Sequence, residues 1–227
     1  MKRILYLCFS LILLNSGAAN GQKKTNNGWQ SLFDGKTLNG WKSVRGDTLP
    51  EKSWNVEDGN IVFDPSKGHG SDIVTTRSFK SFELSVQFKI SEGGNSGIKY
   101  FLLPNTSLGC EFQIIDDTKH PDAKLGIDGD RKTGALYDLI PADPNKPFKS
   151  AGEWNTARIV ARGNHVEHWL NDKKILEYDR GSNAFKEAIA RSKFNDTKGF
   201  SQVTSSPILL QAHGDKVAFR NIKIKEL

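Results

Sequence analysis

The stretch Phe82-Glu83-Leu84-Ser85-Val86-Gln87-Phe88-Lys89-Ile90 puts an apolar residue at every second position. An extended chain with one buried face has that period, whereas a helix would scatter the five apolar side chains around its circumference. The pattern recurs on both sides of this stretch. Trp54 to Phe63 reads as a hairpin around Asp58-Gly59, a pair suited to a type I′ turn. Residues 154–162, 165–170 and 173–178, separated by Gly163-Asn164 and Asn171-Asp172, read as a three-strand meander. Ile208 to His213 and Val217 to Leu227 read as a closing hairpin around Gly214-Asp215. The apolar phase slips between Phe219 and Ile222, which places a β-bulge near Arg220-Asn221. One helix is expected, from Ser182 as N-cap to about Ser192. Many short strands with turn signals between them predict an all-β sandwich rather than an α/β fold.

The 227-residue chain opens with Lys2 and Arg3, an apolar run from Ile4 to Leu14 and the small residues Ser16 to Ala19. That layout predicts a signal peptide over 1–22, too short to span a bilayer, and a periplasmic or secreted protein without membrane insertion after cleavage. A flexible lead-in over 23–28 and one domain over 29–227 follow. Cys8 leaves with the signal, so Cys110 has no intramolecular partner. Without Lys2 and Arg3 the formal net charge falls from +6 to +4. The basic residues form no stripe, which argues against a nucleic-acid partner. No dinucleotide-binding signature is present, so no nucleotide cofactor is expected.

Three stretches carry side chains suited to chemistry. In Cys110-Glu111-Phe112-Gln113-Ile114-Ile115-Asp116-Asp117, Glu111 and Gln113 share one strand face and Phe112 and Ile114 the other; Asp116 joins Glu111 only across a bulge. The polar face is either plain solvated surface or the lining of a wet hollow. Gln211 and His213 share a face with Leu209 in the second stretch. The third, Gly93-Gly94-Asn95-Ser96-Gly97-Ile98-Lys99-Tyr100, allows close backbone approach and projects Lys99. Asp116, Asp117, His120 and Asp122 offer oxygen ligands for a hard cation or form an ordinary turn. His165 and Glu167 read as solvated sheet surface. Tyr137 and Trp41 are sugar-stacking or core aromatics.

These residues resemble one family across nearly the whole domain. The carriers are Ser31-Leu32-Phe33-Asp34-Gly35-Lys36-Thr37-Leu38-Asn39-Gly40-Trp41, Gly94 to Ile98, Glu111 to Asp117, Gly152-Glu153-Trp154-Asn155, and the close from Leu210-Gln211 through His213-Gly214 to Phe219-Arg220-Asn221-Ile222. They look like the 3-keto-disaccharide hydrolase family, also called 3-keto-glucoside 1,2-lyase/2-hydroxy-glucal hydratase, which includes many exported proteins of Bacteroidetes. Ala212 stands where related sequences often carry Asp, and Phe101 where many carry Arg. The resemblance implies a concanavalin A-like jelly roll. It also implies an enzyme that cleaves 3-keto-glycosides by β-elimination or hydrates the glucal product, supplied with oxidised sugar by a separate sugar 3-dehydrogenase.

A ketone at C3 acidifies the C2 hydrogen, so the site needs a base and a positive or hydrogen-bonding group for the enolate oxygen. Glu111 and His213 are expected as base or as ligands of a divalent metal, with Lys99 or that metal at the oxyanion. Asn95, Gln113, Asp116, Tyr137 and Gln211 are expected to bind the glycoside or oligosaccharide. Two alternatives stand beside this: a lectin-like carbohydrate-binding module, and a retaining glycosidase using Glu111 and Asp116, which would need carboxyl groups about 5–5.5 Å apart.

Overall fold

The computed structural model describes residues 27–46, 48–49, 52–200 and 202–227. The expected signal peptide and most of the lead-in lie outside the described residues. In chain order the strands are β1 (Gln30–Ser31), β2 (Trp41–Ser43), β3 (Trp54–Glu57), β4 (Asn60–Phe63), β5 (Ile73–Thr75), β6 (Phe82–Ile90), β7 (Asn95–Tyr100), β8 (Cys110–Ile115), β9 (Asn155–Arg162), β10 (His165–Leu170), β11 (Lys173–Asp179), β12 (Leu209–Leu210) and β13 (Val217–Glu226), with one helix, α1 (Asn183–Ala190).

The strands form two antiparallel sheets. An eight-stranded sheet runs β11-β10-β9-β6-β13-β4-β3, with β1 also on β13, and a five-stranded sheet runs β2-β5-β12-β7-β8. The strand β6 sits mid-sheet and alternates buried and half-buried residues along its full length, as its sequence requires. Phe82, Leu84, Val86, Phe88 and Ile90 face Ile98, Tyr100, Phe112 and Ile114 of the second sheet in one core. Asp58 and Gly59 both have positive φ (49° and 74°), so the β3–β4 hairpin closes on the expected primed turn. The meander β9–β10–β11 forms as read. Ser182 caps α1 by accepting from Phe185 N–H, and the β13 register slips between Arg220 and Lys223 at Asn221, whose φ is 50°.

The expected closing hairpin does not form. The short β12 pairs with β5 and β7, whereas β13 pairs with β6 and β4 in the other sheet. The segment between them crosses from sheet to sheet. It is held by Ser96 Oγ donating to Gln211 O, Asp72 accepting from Ala212 N–H, and Asp215 accepting from Asn95 N–H. Alternation is identical in a hairpin and at a sheet-switching corner, so periodicity could not separate them.

Inside the sandwich, Tyr100 Oη bonds His168 Nε2 at 2.6 Å and Tyr178 Oη at 2.8 Å, while His168 Nδ1 donates to Gly134 O at 2.9 Å. This network ties β7 to β10 and β11. Burial drives the His168 pKa down to about 4, against the pull of Gly134. The ring is therefore neutral, with its proton on Nδ1 and Tyr100 donating to Nε2.

Candidate active site

Strand register sets the site. Lys42 pairs with Val74, Val74 with Leu209, Leu209 with Lys99, and Lys99 with Glu111. These five residues form one cross-strand row on the outer face of the five-stranded sheet. Beyond β8 the chain adds a further partner, since Tyr137 N–H donates to Glu111 O and Leu136 bridges Phe112. Leu102 and Val44 pack over Val74 and Leu209 on one half of this face. A cleft of about 700 Å³ opens there, lined among others by Lys42, Val74, Leu102 and Val203.

On the other half the row is charged. Lys99 Nζ lies 3.2 Å from Glu111 Oε2, and the two side chains are only 10% and 6% exposed. This is not the plain solvated face that alternation alone allows. Gly97 explains how the carboxylate fits: a Cβ there would stand 3.0 Å from Glu111 Cδ and would overlap Oε1. The glycine is present for space and not for a left-handed backbone.

A second layer stands over the pair. Tyr137 Oη donates to Asp122 Oδ2 at 2.8 Å, and Arg131 donates to Asp122 at 2.7 Å and to Asp138 at 2.6 Å. Asp138 Oδ2 accepts from the Lys193 backbone N–H, which anchors that residue. The Lys193 ammonium sits 4.1 Å above the Tyr137 ring. Burial tends to raise the Asp122 pKa, but the bonds from Arg131 and Tyr137 outweigh it and hold the carboxyl below its ordinary value. Burial first, and then Asp122, pushes the Tyr137 phenol well up, so it stays protonated. Desolvation lowers the Lys193 pKa although Glu111 and Asp138 oppose it.

The expected site residues divide. Lys99, Glu111 and Tyr137 come together. Gln113 lies beside Gly97 across the ladder, 1% exposed, with its amide oxygen 3.2 Å from Ile114 N. Gln211, whose backbone N–H donates to Gly97 O, is adjacent, and among the described residues its buried Oε1 finds no hydrogen-bond partner. That oxygen is an open acceptor beside the Lys99–Glu111 pair.

The remaining residues sit apart. Asn95 is four residues from Lys99 along β7, roughly 13 Å at strand rise, and pairs with Ile115. His213 is level with that end, exposed, its ring edge-on to His120 at 6.4 Å. It lies beyond β12, which ends at Leu210, so strand register does not pair it with Glu111. Asp116 does not join the Glu111 face. Its carboxylate accepts from Gly93 N, Thr118 N, Thr118 Oγ1 and Lys119 N. Burial opposes ionisation, yet these bonds hold its pKa at about 2. It closes a loop, which takes Asp116 away from the Glu111–Asp116 pair that the retaining-glycosidase alternative needs. Asp117 accepts from Thr133 N–H and pairs with Lys146, and His120 Nδ1 accepts from Asp122 N–H, so these groups are engaged by donors of the protein itself. Trp41 is core, donating to Leu32 O. The sequence reading missed Lys193 and Arg131, since neither lies in a periodic segment or a motif.

A metal does not fit at Glu111. Among the described residues, no three ligand atoms of His, Cys, Asp or Glu converge there. The expected pairing of Glu111 with His213 around a divalent ion therefore lacks a donor set.

The architecture is an antiparallel jelly-roll sandwich carrying a buried acid–ammonium pair on the outer face of its smaller sheet. Residues 28–225 match the model of the 3-keto-alpha-glucoside-1,2-lyase-like domain, and the chain belongs to that family. It is 39% identical to a 3-keto-disaccharide hydrolase of Bacteroides thetaiotaomicron, over 88% of this chain and 79% of the relative. A crystal structure of a candidate glycosyl hydrolase from Parabacteroides distasonis superposes with a TM-score of 0.79 at 34% identity, covering 88% of this chain and 94% of the other. A second structure from that organism, of the same description, gives 0.69 at 30% identity, covering 88% and 99%. The carbohydrate binding module CBM66 from Bacillus subtilis shares the fold, with a TM-score of 0.51 at 12% identity, covering 82% of this chain and 96% of the other.

Proposed function

We propose that this protein cleaves 3-keto-glycosides by β-elimination, with Glu111 as the base. The observation that carries the reading is the Glu111 carboxylate held against Lys99 under the Tyr137–Lys193 layer. Membership of the family and the name of the Bacteroides relative support it.

Glu111 takes the C2 proton, and the electron pair moves onto the C3 oxygen as an enolate facing Lys99. A preorganised ammonium in a site of low solvent access stabilises that developing charge. When the enolate collapses, C1=C2 forms and the C1–O bond breaks. Lys193, whose lowered pKa makes it the better proton donor, protonates the departing oxygen. Water then adds across the glucal. The open acceptor of Gln211 receives a sugar hydroxyl, and the neighbouring cleft accommodates the aglycone. No step passes through a metal. The leading apolar segment supports export, and the absence of redox chemistry in this scheme implies a separate dehydrogenase upstream.

The test is aglycone release from a 3-keto-glucoside, with and without chelator. Glu111→Gln is expected to lower kcat by about 10²–10⁴-fold, with Lys193→Met lowering it less. Unchanged release by Glu111→Gln overturns the assignment of the base. Sugar binding without release by the wild type under either condition returns the protein to the binding modules.

A further inference from the structure

On the opposite side of the sandwich, the edge hairpin β10–β11 carries a second polar constellation. His165 pairs across the ladder with Asp179, and Glu167 with Glu177. All four side chains are on the outer face, since His168 and Val166 point into the core. Like charges directly opposite each other on a sheet are destabilising, and here the Lys174 ammonium offsets part of the Glu167–Glu177 repulsion. The histidine sits at the centre of this arrangement. Its Nδ1 is 3.2 Å from Asp179 Oδ1, a hydrogen bond that directs the Nε2 lone pair at the carboxylates. Nε2 is 3.7 Å from Glu167 Oε1 and 3.9 Å from Glu177 Oε2, too far for hydrogen bonds.

We propose that His165 Nε2, Glu167 Oε1 and Glu177 Oε2 form a binding site for a Zn²⁺-class divalent cation. One ligand atom from each residue lies within 4.8 Å of the other two. Zn–N and Zn–O bonds of about 2.0–2.2 Å put tetrahedral ligands roughly 3.4 Å apart, so Nε2 must close by a few tenths of an ångström on each carboxylate oxygen, and the two oxygens, within 4.8 Å of each other, by up to about 1.4 Å. The outer partners are those of a metal centre. Asp179 orients the imidazole, and Trp169 Nε1 donates to Glu167 Oε2 at 2.7 Å, which turns Oε1 inward. A lone imidazole with two carboxylates favours zinc over calcium, which takes six to eight oxygens. Lys174 Nζ, 2.6 Å from Glu177 Oε2 and 3.9 Å from Glu167 Oε1, supplies positive charge to the same carboxylates and competes with the metal. Bound metal would cross-link the outermost strand of the large sheet, the edge where a β-protein is most open to unwanted pairing.

Titration of the mature chain with ZnCl₂ by calorimetry tests this, with aglycone release followed in parallel. The wild type is expected to bind one equivalent that His165→Ala and Glu177→Gln each lose. Asp179→Asn should weaken binding about 10-fold or more, and Lys174→Met should tighten it. Thermal melts confirm that the variants fold, and activity should be unchanged because the catalytic face is on the other sheet. No zinc equivalent in the wild type, or one that survives His165→Ala, overturns the site. An equivalent removed by His120→Ala and retained in His165→Ala does the same.

Discussion

Gly97→Ala tests the site with one carbon atom. The new Cβ would stand 3.0 Å from Glu111 Cδ and 3.1 Å from Cγ, and would overlap Oε1. Backbone relief is limited, because Gly97 pairs with Gln113 on one side and accepts from Gln211 N–H on the other. The Glu111 side chain must therefore leave its rotamer and pull away from Lys99. Overpacking of this kind costs about 1–3 kcal/mol, which for a domain of this size lowers Tm by roughly 2–12 °C. A displacement of about 1 Å at a catalytic group costs on the order of 10² in rate. The two readouts separate when the change is repeated in Glu111→Gln. The stability cost should persist there, since glutamine fills the same volume. The rate cost should largely vanish, because the base is already lost. The assay is aglycone release with thermal melts on all four proteins. Wild-type kcat in Gly97→Ala together with a lowered Tm would refute the role of Glu111, because the carboxylate would have moved without consequence.

Three further outcomes follow from the same contacts. Lys99→Met leaves the Glu111 carboxylate buried without its partner and should cost about 3 kcal/mol in urea unfolding, with Lys99→Met/Glu111→Leu recovering much of it; equal losses in both would show that the pair is not coupled. The His168 pKa is about 4 in the fold against about 6.5 unfolded, so the unfolded chain binds the extra proton between those values, and stability is lost as pH falls through that window. Wild type should lose about 2 kcal/mol more than His168→Gln between pH 7 and pH 5, measured by urea melts at each pH. Asp116→Ala should destabilise by about 1–3 kcal/mol through the orphaned N–H groups of Gly93, Thr118 and Lys119 while leaving KM within about twofold; a large rise in KM would return Asp116 to the substrate.

Period-two alternation was enough for β6 and β10, which bury one face and leave the other half-exposed, whereas β7 and β8 are buried along their full length. Phe82 to Ile90 and the meander are legible for that reason, as are Asp58-Gly59 and Ser182, whose local chemistry closes a turn and caps a helix. Shared strand faces likewise brought Lys99 and Glu111 together. Alternation gives the face of a residue but not its register along the ladder, and this is why His213 and Asn95 were grouped with Glu111 although they sit at the far end of it. Asp116 had the right residue type, but its backbone donors arrive from Gly93 and from the turn that follows it, and these are tertiary facts. Lys193 and Arg131 reach the site from irregular segments held by Asp138 and Asp122. Such residues leave no periodic trace.

The amino-acid sequence alone determined the all-β class, the strands β3, β4, β6 and β9 to β11 and the chemistry-bearing face of β8, because burial of alternate residues is a local pattern that survives without coordinates. The tertiary structure alone decided that β12 and β13 belong to different sheets, that Glu111 is clasped by Lys99 over Gly97, and that three ligand atoms meet on the β10–β11 edge. Those outcomes depend on which distant segments pair and in what register, and pairing between segments is a property of the folded chain as a whole.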